Sequence, residues 1–513
     1  MRPGSRREPR GPLPLRLSGG RAGAVQAFAD RPGRFGGVRL KPGAFAALST
    51  SQPIELPENA LPASLQGLLA GVALHRGFLD ADYLAAMAAA VDEAWTVDRV
   101  DELIEILESK AALWDCGSGV FQIEAKFAER LRARETSPAE RDAWAAELVR
   151  AMASLAAWLA PLDWHEQRVP YTVHRLNVQE AVEHARRLGM GEELLALLEV
   201  SAECSLSAGL LDEAAALYDE IVASTESAED SEVQAAACHQ RGLVAQQQGR
   251  YDEAARWYGR ALEIEERIGD LHGAAMSEHQ MARLEQERGR LEEAESLFLR
   301  AVAGLEQAGD AEHAAVAWRQ LGQLAQGRGD RARAKRLYER SLERAQDVES
   351  VWEQANTLHQ MGLLAHESGQ TVEARLRYER AIELREADDE ADEAAADYRQ
   401  LGVLALEQGD LGEAERLLRK SYGSERRRGN DSGAAMALAL LGVLAARQGD
   451  FPVAGRRLIR ATAVHQALGE KALLDQSAAY FLKIWRRSTD ATRAELRGQW
   501  EAAGLEWPQG LPD

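Results

Sequence analysis

Apolar residues recur at helical spacing along most of the chain, and the pattern is most regular between residues 209 and 469. In this stretch a glycine, four further residues and then an alanine return seven times at an interval of 40 residues, without an insertion. The opening glycines are Gly209, Gly249, Gly289, Gly329, Gly369, Gly409 and Gly449. So strict a period predicts stacked supersecondary units rather than one compact enzyme core.

Each 40-residue repeat is predicted to form two helices joined by a tight turn. In the second repeat, the first helix is expected from about Val233 to Gln248, and the second helix from about Asp252 to Ile268. Gly249 between them can take the left-handed conformation that a helix end requires. Acidic residues open the second helix, where the helix dipole favours negative charge.

Small residues recur on both helices of the unit, at positions where two backbones must cross closely. They are Gly242, Ala282, Gly322, Gly362, Gly402 and Gly442 on the first helix, and Ala254, Ala294, Ala334, Ala374, Ala414 and Ala454 on the second. Large residues follow those alanines by four positions, at Tyr258, Phe298, Tyr338, Tyr378, Leu418 and Leu458. Residues four apart share a helix face, so a large side chain is predicted beside a small one at each crossing.

This order of anchor residues resembles the tetratricopeptide repeat. One unit shows it in full, with Leu321, Gly322, Gly329, Ala334, Tyr338 and Ser341. The common form has a period of ~34 residues, and the longer unit of this chain is similar to the repeats of kinesin light chains and of many bacterial signalling proteins. The resemblance implies an all-α fold, a right-handed superhelical solenoid of helical hairpins. Seven repeats are expected over residues 201–469, followed by a helical cap over residues 470–513.

Most units close on a glycine, as at Gly269, and two do not. Glu349 and Asp389 stand at the equivalent positions, so the turns there are expected to differ.

Residues 53–135 show shorter elements. Apolar positions predict three helices, the second starting at Asp80 or Asp82, and then a hairpin in which Leu113 and Trp114 face residues 120–123 across a Gly-Ser-Gly turn. Three helices and a hairpin outline a winged helix. Between Glu58 and Glu135, however, seven Lys and Arg stand against fourteen Asp and Glu. This charge would repel phosphate, so a protein–protein element is expected rather than a DNA reader.

Residues 136–200 predict a helical arm. Ser137 as N-cap, Pro138 at the first helical position and Glu140 three residues after the cap open a helix that is expected to reach Leu159. Pro161 predicts a break, and two further helices are expected from about 177 to 187 and from 191 to 204.

Residues 53–200 are also similar to the part of bacterial STAND-type NTPases between the nucleotide-binding core and the sensor repeats. Residues 103–131, with Gly-Val-Phe-Gln-Ile before an amphipathic helix, carry this resemblance. The chain has no Gly-x-x-x-x-Gly-Lys-Ser/Thr sequence, so the resemblance brings no nucleotide site.

Composition separates the two ends of the chain. The 513 residues have a formal charge of -21, yet residues 1–50 hold ten Arg and Lys against two acids and are rich in Gly and Pro. A disordered basic tail is therefore expected over residues 1–52. It could be a basic arm for nucleic acid or acidic lipid, a solvated tail, or sequence upstream of the true start.

The expected location is the cytoplasm, since no apolar run reaches membrane-spanning length. Cys116, Cys204 and Cys238 match no metal-ligand spacing and are expected to be reduced and buried.

No catalytic motif occurs, neither a His-Glu-x-x-His pair nor a nucleophile elbow nor a dinucleotide fingerprint. A non-catalytic chain without cofactor, metal or small-molecule substrate is expected. The candidate binding residues lie in two rows on the first helices. They are His239, His279, Arg319, His359 and Arg399, and the adjacent Gln240, Gln280, Gln320, Gln360 and Gln400.

The resemblance places both rows in the concave groove of the solenoid. Amides can hold an extended peptide backbone, and the basic row predicts a peptide with carboxylates. Its imidazoles, unperturbed at ~6.5, would gain charge as pH falls from about 7.5 to 5.5. The rows could instead only bridge neighbouring repeats.

Three function classes follow. The first is a scaffold or sensor whose groove binds a peptide segment of a partner protein. The second is the sensor subunit of a STAND-type signalling NTPase system. The third is a DNA-linked transcriptional regulator, which the acidic module argues against.

Overall fold

A computed structural model describes four stretches of the chain, which are residues 61–134, 136–226, 231–387 and 392–507. The expected basic tail over residues 1–52 and the turn at Asp389 lie outside these stretches. The chain divides into two compact units, Met1–Ser277 and Glu278–Asp513.

The first unit opens with a small mixed module. A 3-10 helix at Ala63–Leu65 comes first, and the elements after it are α1 (Leu68–Leu74), β1 (Phe78–Asp80), α2 (Ala81–Val91), α3 (Val97–Ser109), β2 (Leu113–Gly117), β3 (Val120–Ile123) and α4 (Ala125–Arg132). The Asp80 side chain accepts hydrogen bonds from the amides of Asp82 and Tyr83, and so caps α2 as the sequence indicates.

The expected hairpin supplies two strands, β2 and β3, of a three-stranded antiparallel sheet whose central strand is β3. Strands β2 and β3 pair with Leu113 opposite Ile123, and an irregularity follows at Asp115. Strand β1, which the sequence pattern did not predict, pairs with the other edge of β3, giving the order β1-β3-β2. Three residues are too short for an alternating pattern to show. The strands of the described residues all precede residue 124, so the rest of the described chain is helical.

Two long helices follow, α5 (Pro138–Leu159) and α6 (Trp164–Leu188). The amide of Glu140 donates to Ser137 Oγ over 3.2 Å, which confirms the predicted cap. Helix α6 begins well before residue 177, where the sequence placed it, and contains Pro170. Proline lacks an amide donor and usually ends a helix, but here Pro170 is buried together with Tyr171 and Val173, and this packing retains the helix.

Pairs of helices make up the rest of the chain. They are α7 (Gly191–Ser207), α8 (Leu211–Ser224), α9 (Glu232–Gln247), α10 (Tyr251–Ile268), α11 (Leu271–Glu287), α12 (Leu291–Ala308), α13 (Ala311–Gly327), α14 (Arg331–Asp347), α15 (Val351–Glu367), α16 (Thr371–Ala387), α17 (Ala395–Gln408), α18 (Leu411–Arg427), α19 (Asp431–Arg447), α20 (Phe451–Ala467), α21 (Lys471–Arg487) and α22 (Asp490–Ala502). From α7 to α10, and from α12 to α22, consecutive helices pack on one another. This confirms the predicted fold class of stacked helical pairs.

The predicted packing of a large residue against a small one is present in every repeat that has a glycine where its two helices cross. A methyl group on Gly322 would lie 2.5 Å from Cε1 of Tyr338, and one on Gly242 would lie 2.6 Å from Cε1 of Tyr258. Ala334 and Tyr338 have no exposed surface. In these two pairs the tyrosine ring on the second helix therefore fills a space that the glycine leaves on the first, and an added methyl group would clash with the ring.

The turns between helices use left-handed backbone. Gly249 and Gly329 have φ of 72° and 79°, and Glu349, which replaces the expected glycine, has φ of 53°. A non-glycine residue therefore takes the same conformation there, at a cost that the packing around it must offset.

The three cysteines are buried, as expected, and none of them forms a disulfide. Burial raises the pKa of Cys204 to about 12 and that of Cys238 to about 11, which leaves both thiols protonated and unreactive near neutral pH. None of the helices in the described stretches is both long and apolar enough to cross a membrane.

Helices α21 and α22 close the second unit with an aromatic core. The rings of Phe481 and Trp500 stack with their centroids 4.3 Å apart, and Trp507 meets both edge-on. The sequence predicted one capping helix around residues 472–486, and the second extends that cap.

Replacing Ala334 by Leu should destabilise the protein by about 1–3 kcal/mol, because the added carbons have no space at the helix crossing. The matched control is Ala332→Leu, the same change two residues earlier on the exposed side of α14. Chemical denaturation of both variants measures the difference. Equal losses would mean that the buried face of α14 is wrongly assigned.

Candidate functional site

The predicted basic row lies on the first helix of successive pairs, and most of its members contact another part of the fold. Arg319 on α13 makes the closest pair. Its Nε donates to Glu353 Oε1 over 2.5 Å and its Nη2 to Glu353 Oε2 over 3.2 Å. Arg319 is 9% exposed and Glu353 only 1%. A two-pronged ion pair thus joins α13 to α15, the first helix of the next repeat.

His359 makes the corresponding contact one repeat later. Its Nδ1 lies 2.7 Å from Oδ1 of Asp397, a carboxylate on α17 with no exposed surface. The same carboxylate accepts a hydrogen bond from Arg385, whose Nη2 also donates to Asn356 Oδ1 over 2.7 Å. His359 therefore belongs to a buried polar network that links neighbouring repeats.

His239 and His279 pack against the ring of their own helix pair. His239 lies edge-on to Tyr258 with centroids 5.4 Å apart, and His279 takes the same position against Phe298. The Nδ1 of His239 lies 3.0 Å from Ser277 Oγ. Burial lowers the pKa of His239 to about 4. The expectation that this imidazole gains charge between pH 7.5 and 5.5 is therefore wrong for the unliganded protein.

Arg399 completes the basic row. Its Nη1 lies 3.8 Å from Oε1 of Glu425, which is 2% exposed, and burial lowers the pKa of the guanidinium. This contact, like those of Arg319 and His359, joins two helices of the second unit. The geometry thus favours a bridging role for these cations, while their role in peptide binding stays a prediction.

The glutamine row differs from the basic row beside it. Gln240 is 7% exposed, and Gln280 accepts a hydrogen bond from Arg283 over 3.3 Å. Gln320, Gln360 and Gln400 are half-buried, and their amides form no hydrogen bond with any other residue of the described stretches. These three residues are named the amide stripe below.

The amide stripe lies on helices that pack together and has apolar neighbours. Helix α13 contacts α15, and His359 on α15 reaches Asp397 on α17. Three residues after the glutamines stand Leu363 on α15 and Val403 on α17, both half-buried, and Val316 precedes Gln320 by four residues. The stripe therefore combines open amides with partly accessible apolar side chains on the same helix faces.

Two further residues stand at the start of the row, and the motifs of the sequence did not indicate them. Subtracting 40 from His239 leads to Glu199 on α7, and Glu203 lies one turn later. Burial raises the pKa of both carboxyls to about 7, and at Glu199 the nearby charge of Glu203 adds to the effect. Extending the period backwards by one unit would have found them.

The described residues contain no group of three or more His, Cys, Asp or Glu side chains placed to hold a metal ion.

Replacing Arg319 by Ala should destabilise the protein by about 3–5 kcal/mol, because the carboxylate of Glu353 would remain buried without its partner. Arg340→Ala is the control, since that side chain is 59% exposed and lies 3.9 Å from Glu343, a surface pair worth at most about 1 kcal/mol. The measurement is chemical denaturation. Adding Glu353→Ala to Arg319→Ala should recover part of the loss, and a failure to do so would argue against the pair.

Glu199 and Glu203 should make stability depend on pH. A pKa raised in the folded state contributes stability that is complete below the ordinary value of 4.5 and is lost as pH rises through about 7. The double variant Glu199→Gln, Glu203→Gln should therefore gain stability over the natural chain at pH 8 and little at pH 5. Thermal unfolding at both pH values measures this difference. The exposed Glu192→Gln on the same helix is the control, and it should show no such pH-dependent gain.

Comparison with known families agrees with the helix-pair architecture. A family model described as tetratricopeptide repeat matches residues 273–347 and 353–427, and a second model of that description matches residues 235–268. No curated protein sequence matches the chain significantly.

Solved structures share the fold at low sequence identity. A signal transduction ATPase with numerous domains (STAND) from Pyrococcus horikoshii, which has a tetratricopeptide repeat sensor, is 14% identical with a TM-score of 0.50; the match covers 87% of this chain and 66% of that protein. BtubC (BKLC) from P. vanneervenii is 21% identical over 42% of this chain and 90% of its own, with a TM-score of 0.38. Tetratricopeptide-like repeats attributed to a kinesin light chain of Podosopora anserina are 21% identical over 40% of this chain and 97% of theirs, with a TM-score of 0.32.

The similarity to the STAND protein concerns the fold alone. The TM-scores of the other two structures are too low to support a conclusion. The matched repeat models and the packing of the helix pairs are independent of them, and repeats of this kind imply a protein partner. On these grounds, the chain contains tetratricopeptide repeats over residues 235–268, 273–347 and 353–427.

Proposed function

We propose that the second unit binds an extended peptide segment of a partner protein along the amide stripe, and that the chain acts as a non-catalytic interaction scaffold or sensor. The observation that carries this proposal is the contrast between the two rows. The cations beside the stripe face carboxylates of the fold, whereas Gln320, Gln360 and Gln400 keep their amides open.

An amide side chain suits a peptide backbone because it offers both donors and an acceptor. An extended peptide presents unpaired N–H and C=O groups along its length, and it satisfies them on such a row of amides. Leu363 and Val403 on the same helix faces offer apolar surface for the side chains of the peptide. Backbone contacts would supply affinity, and these apolar contacts would supply selectivity.

The pairing of the cations changes the expected ligand. Arg319 and Arg399 already face Glu353 and Glu425, so their charge is largely compensated before any peptide arrives. The preference for an acidic peptide therefore stays a sequence-based prediction, and the amide stripe does not require it. His279, Gln280, His239 and Gln240 belong to the same rows in earlier repeats, and their part in binding is likewise a prediction.

Two other functions remain as alternatives. A sensor subunit of a STAND-type system accords with the shared fold, but a fold alone does not establish a partner. A DNA-linked regulator is disfavoured by α3, the helix that a winged helix would place against DNA. This helix carries exposed carboxylates at Asp98, Asp101, Glu102, Glu105 and Glu108, which would repel phosphate.

The proposal can be tested without knowledge of the partner. A random peptide library displayed on phage is selected on the full-length chain, and a selected peptide is titrated by calorimetry against the natural chain and the variant Gln320→Ala, Gln360→Ala, Gln400→Ala. Removing three amides should weaken binding at least tenfold, since each lost hydrogen bond is worth about 0.5–1.5 kcal/mol.

The control removes the same number of amides from exposed turns, in Gln370→Ala, Gln408→Ala, Gln448→Ala. This variant should bind as the natural chain does. Equal affinity for both triple variants would place the binding surface elsewhere and contradict the proposal.

A further inference from the structure

Helix α14 is basic in a chain whose net charge is -21. It carries six bases against three acids, and the bases are Arg331, Arg333, Lys335, Arg336, Arg340 and Arg344. Two of them are neutralised by α12, where Arg333 pairs with Glu295 and Arg344 with Glu306. These contacts show which flank of α14 faces the preceding repeat.

Three bases on the remaining surface are left without such a pair. Arg331, Lys335 and Arg336 are exposed and form no salt bridge with any residue of the described stretches. Several bases on other second helices of the second unit have acidic neighbours, as Arg377 has Glu373 and Arg416 has Glu413. The charge on this part of α14 is therefore uncompensated.

An exposed apolar pair lies on the next second helix, α16. Val372 is 75% exposed and Leu376 is 57% exposed, the two highest values among the large apolar side chains of the described stretches. Four residues apart, they share one helix face. Leu376 also breaks the repeat pattern, because the equivalent position in four other units is Arg256, Arg336, Arg416 or Arg456.

The repeat geometry indicates that these two features are neighbours. Arg333 on α14 contacts Glu295 on α12, which precedes it by 38 residues. The same offset one repeat later brings Lys335 on α14 close to residue 373 on α16, which follows Val372. The carboxylate of Glu373 already pairs with Arg377 and forms no salt bridge with Lys335. Arg331, Lys335, Arg336, Val372 and Leu376 thus form one surface, named the basic–apolar patch.

We propose that the basic–apolar patch is a second docking surface, independent of the amide stripe, and that its occupant is an acidic segment of a partner protein with apolar residues one helical turn apart. Carboxylates of such a segment pair with the uncompensated cations, and its apolar residues cover Val372 and Leu376. Exposed apolar side chains that lie together mark interaction surfaces, and complementary charge selects the partner.

Nucleic acid and anionic membrane fit this surface less well. Both present extended negative charge, which a chain of net charge -21 repels outside the patch. Phosphate backbones also make no use of an exposed Val and Leu. A short acidic segment meets only the patch and satisfies both of its components.

The test uses the full-length chain and a fluorescein-labelled synthetic 18-residue peptide of glutamates and alanines with leucines four residues apart. Fluorescence anisotropy at low salt should show saturable binding that weakens as salt rises. Two variants should each weaken it at least tenfold, one being Lys335→Glu, Arg336→Glu and the other Leu376→Ser. The second variant introduces the residue type found at the equivalent position Ser296, so loss of folding is not expected.

Three controls make the outcome decisive. Arg460→Glu reverses an exposed base of α20 that has no ion pair within the described stretches, and it should leave binding unchanged, as should the triple glutamine variant of the amide stripe. A peptide with lysines in place of the glutamates should not bind. Absence of binding, equal binding to all variants, or patch-dependent binding to vesicles containing phosphatidylserine in place of the peptide would each overturn the proposal.

Discussion

The architecture depends on one contact, the packing of a large side chain from the second helix of a pair against a small residue of the first, which is glycine in five repeats and Ala282 in a sixth. A methyl group at Gly242, Gly322 or Gly362 would lie within 2.5–2.6 Å of the facing tyrosine ring. The glycine therefore sets how closely the two helices approach, and the ring sets where they cross. Because each repeat adds a contact of this kind, one repeat can stack on the next without pairing between distant parts of the chain.

This crossing also determines what happens to the residues around it. Three positions before the glycine, one helical turn away, the side chain meets both the ring of its own pair and the first helix of the next repeat. His359 accordingly packs on Tyr378 with centroids 5.7 Å apart and reaches Asp397. A cation at this position is enclosed and must have a partner, because an unpaired buried charge is costly. The next position along the helix is less enclosed in the later repeats, where Gln320, Gln360 and Gln400 are half-buried.

Much of the fold could be predicted from the sequence, because the same short pattern of residues recurs in every repeat. The 40-residue spacing, the turn glycines, the facing tyrosines and the cap at Ser137 all correspond to the structure. The partners of the basic row could not be predicted in this way. Glu353 and Asp397 look like surface residues of a helix, and only their burial shows that they face Arg319 and His359. Strand β1 and the first half of α6 were missed because three residues show no alternation and Pro170 normally marks an end.

Residues that depart from the repeat pattern carry more information about function than residues that follow it. Where seven units specify the same crossing, a residue that agrees with its equivalents is explained by packing, and a residue that departs from them without structural need is more informative. Glu199 departs from a row otherwise filled mainly by His and Arg, and burial raises the pKa of its carboxyl to about 7. Leu376 departs from a position held by Arg in four other units and leaves more than half of its side chain in water. Neither departure stabilises the fold, since one buries a carboxyl and the other exposes hydrocarbon. At Leu376 such a cost accords with the place of this residue in the proposed basic–apolar patch, whereas the cost at Glu199 is expressed in the pH dependence of stability.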